Sequence, residues 1–92
     1  MRIAAAQTKP ISQNTDANIL RHVQYIDLAA QHGVQLIAFP EMSLTGYELE
    51  RAAELSFTID DPRLEVLSER AAQHDMIIIA GAPVRLESAL HI

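Results

Sequence analysis

No cysteine occurs anywhere in the chain. That absence excludes disulfides and thiolate-ligated metal centres built from these residues. Aromatic residues are almost as scarce, at 4%, although 49% of the chain is hydrophobic; the apolar content rests on Ala, Ile and Leu. Such a mixture belongs to packed α/β layers and not to a disordered tail. A basic stripe is missing too: seven Lys and Arg are scattered through a chain of net charge −5, which excludes the usual electrostatic footprint of nucleic-acid binding. The longest run without a polar side chain, residues 76–84, falls far short of the ~20 residues of a membrane span. Gln7 and Lys9 interrupt the first apolar segment too early for the core of a signal peptide. The expectation is a cytoplasmic α/β protein with neither nucleic-acid nor membrane partners. Its 92 residues make one small domain or a piece of a larger one, with a thin core.

What the chain does have is an alternation of short apolar runs and helical stripes. Ile3, Ala4, Ala5, Ala6 and Gln7 read as a first buried strand, ended at Lys9-Pro10. Asn14, Thr15 and Asp16 supply cap candidates and first-turn acid for a helix. Its stripe is Ile19, Val23, Ile26 and Ala30, with Arg21, Gln24 and Asp27 lying off it. Gly33 follows as the residue that lets the chain turn out of the helix. Residues 36–39 form the next strand, and residues 49–55 a short helix around Ala52 and Ala53. Asp61-Pro62 opens a longer helix, with Asp as cap, Pro in the first turn and Leu64, Leu67 and Ala71 as the buried side. Residues 76–80 predict a third strand, which Gly81-Ala82-Pro83 bends or bulges. After a turn at Glu87-Ser88, residues 89–92 begin a fourth. The first three strands are predicted to lie parallel in one sheet, with both long helices against it. Ile19, Val23, Ile26, Leu64, Leu67 and Ile78 should then be buried.

The most informative stretch is LIAFPEMSLTGY, residues 36–47. It sets Glu41 just beyond the C-terminal end of a buried strand, the edge where open α/β sheets gather ligands and catalytic groups. Pro40 has no N–H and fixes its own φ, so it ends the strand and biases Phe39 to an extended shape. Beside Phe39, Met42, Leu44 and Tyr47 a carboxylate is partly shielded from water, as suits a general base. A carboxylate there can equally cap the amides of the following loop. Other candidates carry less. His22, His32, His74 and His91 lack metal-ligand spacing and read as solvated or helix-end residues. Asp60-Asp61 reads as a cap ahead of Pro62, and Glu48, Glu50 and Glu54 as a solvated face. Nothing marks Ser43 as a nucleophile, since no histidine is paired with it in sequence. Tyr47 either lines a substrate pocket or packs over the loop.

Taken together, a first strand ending in Ala6-Gln7, a crossover helix, and an apolar strand running into Phe39-Pro40-Glu41 with Leu44-Thr45-Gly46-Tyr47 behind it closely resemble the N-terminal part of the nitrilase superfamily, the carbon–nitrogen hydrolases. The likeness continues through residues 61–72 and Ile77-Ile78-Ile79-Ala80-Gly81, so it spans essentially the whole chain. It implies a four-layer α-β-β-α sandwich, incomplete here, and a Glu-Lys-Cys catalytic set needing no cofactor or metal. The implied substrates are small-molecule amides, carbamoyl compounds or nitriles, and the implied assembly is a homo-oligomer. In that family the glutamate at the position of Glu41 is the general base for the cysteine thiol. The thiolate attacks the substrate carbon, a lysine stabilises the developing negative charge, and water releases the acid.

Two members of that set have no counterpart. Cysteine is absent, and Lys9, the only lysine, follows the first strand. Residues 1–92 are thus expected to be the N-terminal portion of a hydrolase domain, truncated in its fourth strand and inactive alone. The alternative is a non-catalytic α/β fragment or interaction module that pairs through its open sheet edge.

Overall fold

Capping chemistry sets the limits of the first long helix. In the computed structural model, which describes residues 1–12, 14–46, 52–86 and 89–91, Asn14 accepts a hydrogen bond from the Ala17 N–H at 3.2 Å and starts helix α1 (Thr15–Gln31). Gly33, at φ +71°, turns the chain out of it. Strand β1 (Ile3–Ala5) precedes this helix and strand β2 (Leu36–Ala38) follows. Then come a short helix α2 (Ala52–Leu55), a 3-10 turn (Pro62–Leu64) that runs into helix α3 (Glu65–His74), and strands β3 (Ile77–Ile79), β4 (Val84–Leu86) and β5 (Ala89–His91). Asp61 caps the 3-10 turn by accepting from the Arg63 N–H at 2.9 Å, and the Arg63 guanidinium lies 4.0 Å over the Phe57 ring.

Strands β1, β2 and β3 form one parallel sheet in that order, as the apolar runs predict. Ala4 pairs with Ile37, and Ile37 with Ile78. These three face α1 and α3, in a core with Ile19, Val23, Ile26, Val34, Phe39, Leu67 and Met76. Leu64 and Ile78 are half-buried at its margin and not fully enclosed. Across the helix pair Asp27 accepts from Arg70 Nε at 3.1 Å and bonds His74 Nε2 at 2.9 Å, clipping α1 to α3. The alternate residues of the strands point the other way. Ile3, Ile77 and Ile79 are each more than half exposed on that side. Parallel sheets are normally covered on both faces, and an α-β-β-α sandwich places its second sheet there. The described residues therefore form one α layer and one β layer of that architecture.

Residues 81–83 do not bulge the third strand; they end it. Strand β4 starts a separate two-stranded antiparallel sheet with β5, in register Val84 to His91. Phe57 ties that sheet to the chain ahead of α3, donating its N–H to the Pro83 carbonyl and accepting from the Arg85 N–H, both at 2.8 Å. The expected fourth strand is β5. The start of the predicted short helix at residues 49–51, the turn at Glu87-Ser88 and Ile92 lie outside the described residues.

Candidate active site

Pro40 cannot extend the ladder of the central strand, and the chain turns at residues 41–45. The last ladder bond before the turn runs from the Phe39 N–H to the Ile79 carbonyl, at 2.8 Å. Glu41 therefore stands at the C-terminal end of β2, at the rim of the sheet, but it is exposed to solvent in this chain and not shielded as the sequence suggests, because Phe39, Met42 and Leu44 are themselves buried and leave the carboxylate outside. Tyr47 lies outside the described residues. An apolar cleft of about 320 Å3 lies between α3 and β3, lined among others by Phe57, Leu64, Leu67, Ile78 and Ala80, and Glu41 does not contribute to it. Among the described residues, no group of three or more His, Asp or Glu side chains is placed to hold a metal ion. No helix among them is long and apolar enough to cross a membrane.

The segment behind Glu41 is unusual for a loop because Met42, Ser43, Leu44, Thr45 and Gly46 are all buried. Loops stay at surfaces because their backbone polar groups need partners. Here the partners are supplied. Ser43 N–H bonds the Pro40 carbonyl at 3.1 Å, and the Thr45 and Gly46 N–H groups bond the Met42 carbonyl at 3.2 and 2.7 Å. Leu44 donates its N–H to the Gly81 carbonyl at 2.9 Å and accepts from Asn18 Nδ2 at 3.1 Å. Asn18 also holds the chain entering α1, by donating to the Ile11 carbonyl and accepting from its N–H.

His22 is not the solvated residue expected from its isolation in sequence. It is 1% exposed, stacks on Phe39 with ring centroids 4.1 Å apart, and reaches Ser43 Oγ through Nε2 at 2.8 Å. Its other nitrogen, Nδ1, lies 2.6 Å from the Asn18 carbonyl. Sequence reasoning missed both Asn18 and His22. The signal was their four-residue spacing along the flank of the Ile19–Val23–Ile26 stripe, which puts them on one buried side of α1.

Burial holds the His22 pKa below its ordinary value of 6.5, against an opposing pull from the Asn18 carbonyl. The folded chain therefore binds this proton less readily than the unfolded chain. The contribution to stability is complete above about pH 6.5 and declines as pH falls towards the lower folded value. Asp27 and Asp61 are held below 3.8 chiefly by hydrogen bonds from His74 and Arg63, so they act only at more acidic pH. Denaturant midpoints measured from pH 8 down to 5 should drop below about 6.5, and the drop should flatten in His22→Gln. A midpoint constant down to pH 5 would contradict a neutral buried ring.

The family model for carbon–nitrogen hydrolases matches residues 2–90. The chain belongs to the carbon–nitrogen hydrolase family. It is similar to an arylacetonitrilase of Aspergillus kawachii (strain NBRC 4308), 28% identical across 100% of this chain and 32% of the relative. A nitrilase of Paraburkholderia phymatum is 30% identical over 99% of the chain and 31% of its own length. An aliphatic nitrilase of Rhodococcus rhodochrous is 26% identical over 99% and 29%. The chain thus spans about a third of the length of these curated relatives. Within the family match fall the parallel sheet, both long helices and the Pro40-Glu41 turn.

Proposed function

We propose that this chain contributes the general base, Glu41, to a hydrolase of carbon–nitrogen bonds in nitriles or amides. The observation that carries the reading is the location of Glu41, directly after Pro40 at the C-terminal end of the central parallel strand. The reaction needs two further groups, a cysteine and a lysine, that these residues do not supply. Glu41 takes the proton of the cysteine thiol. For an amide, the thiolate adds to the carbonyl carbon, and the lysine stabilises the oxyanion. The C–N bond then breaks as the nitrogen leaves with a proton, giving a thioester. Water, deprotonated by the same carboxylate, adds to the thioester, and the acid and free thiol are released. The intact enzyme in this reading is cytoplasmic and homo-oligomeric, uses no cofactor, and takes a small-molecule substrate that Tyr47 helps to line.

A second reading, a non-catalytic module that pairs with a partner sheet, draws on the exposure of Ile3, Ile77 and Ile79. Ammonia release from a panel of nitriles and primary amides separates the two. An enzyme joining this chain to the family's lysine and cysteine should release ammonia, whereas the 92-residue chain should release none. Lack of turnover in the joined enzyme across the panel would favour the module.

A further inference from the structure

The peptide of Glu41 is seated on residue 81. A Cβ placed on Gly81 would meet Met42 N at 2.3 Å, the Pro40 carbonyl oxygen at 2.8 Å and Glu41 C at 2.9 Å, so the loop backbone lies directly against this glycine. Two hydrogen bonds clamp the contact. One is the Leu44 N–H to the Gly81 carbonyl; the other is the Gly81 N–H to Ser43 Oγ, at 3.1 Å. The Ser43 hydroxyl is in turn held by His22 on α1.

The direction of each bond follows from the chemistry of its atoms. The Asn18 carbonyl can only accept, so His22 Nδ1 carries the proton and donates. In the neutral ring Nε2 then offers a lone pair, and Ser43 must donate its O–H to it. The Ser43 oxygen is left to accept from the Gly81 N–H. Each group has one role, and a buried, fully matched chain of this kind admits a single arrangement. We propose that His22, acting through Ser43, is a positioning residue for Glu41: the neutral imidazole fixes the hydroxyl that clamps the Glu41 loop to the end of β3. The inference rests on the reading of Glu41 as the base. An exposed carboxylate gains a defined place from its backbone, and catalytic groups need placement to within about 0.5 Å. A misplacement near 1 Å can lower a rate about 10²-fold.

The test uses the enzyme that joins this chain to the family's lysine and cysteine, with kcat expressed per folded molecule. Ser43→Ala should lower kcat at least ~10-fold with KM changed less than about twofold, as expected when only alignment is lost. His22→Leu should behave as Ser43→Ala does. His22→Gln, whose amide oxygen can still accept from Ser43, should recover most of kcat; a merely structural role would show in thermal stability and not in this split. Nitrogen-15 spectra of the 92-residue chain at pH 7 should show His22 protonated at Nδ1 and bare at Nε2, an outcome that needs no variant to fold. If Glu41→Gln leaves turnover intact, the base assignment fails. If Glu41→Gln abolishes turnover while Ser43→Ala and His22→Leu both keep full kcat, the base stands and the positioning role is overturned. An Nε2–H tautomer for His22 overturns it equally.

Discussion

Glu41→Gln, made in an enzyme that joins this chain to the family's lysine and cysteine, is expected to lower nitrile or amide turnover at least ~10²-fold. The amide matches the carboxylate in shape but cannot take a proton from a thiol, so the nucleophile stays in its unreactive form. Folding should be nearly untouched. Glu41 is exposed at the sheet rim, and substitutions at exposed positions usually change stability by less than about 0.5 kcal/mol. Steady-state turnover and a thermal melt on the same preparation check both halves. Near-normal turnover would remove Glu41 from catalysis and return it to capping the loop that follows.

Gly81→Ala should destabilise the chain by about 3 kcal/mol or more, at or above the upper end of the range for overpacking. The added methyl would overlap backbone atoms of residues 40–42, the closest at 2.3 Å, and no side-chain rotation relieves a backbone clash. Gly33→Ala is the useful comparison. Its Cβ would meet only the end of the flexible Arg2 side chain, at 3.5 Å, so the cost is that of a left-handed φ of +71°, roughly 1–2 kcal/mol. Urea unfolding of the two variants beside the parent chain measures the difference. Should Gly81→Ala prove no worse than Gly33→Ala, the Glu41 loop cannot be seated on residue 81 as described. In the joined enzyme Gly81→Ala should also lose turnover, because the loop can escape the clash only by moving Glu41.

Much of this molecule is visible in one dimension because its signals are local. The cap at Asn14, the turn at Gly33 and the Asp61-Pro62 opening depend on residues within four positions of one another, and each appears where the sequence places it. The parallel sheet follows from three apolar runs separated by helical stripes. Glu41 is legible for a similar reason: Pro40 ends the strand through its own covalent geometry, whatever packs around it. The boundary at residues 81–83 was harder. Gly81-Ala82-Pro83 signals a break in the strand, but a bulge and a change of sheet share that signal. The pairing of Val84 with His91 and of Phe57 with Pro83 and Arg85 decides between them.

By itself, the sequence determined the order of elements as far as β3, the parallel α/β class, the family and the address of the candidate base, but not strand β4. Tertiary structure alone decided the environment of that base. The histidine that reaches Ser43 lies 21 positions away in sequence, and the glycine beneath the loop lies 38 positions from that serine. Such contacts leave no periodicity or spacing to read. Hydrogen-bond direction and steric exclusion are set by atoms that meet only after the helix has packed on the sheet. His22 looks solvated as a letter on a helix with polar neighbours, and becomes a buried neutral ring once Phe39 stacks on it.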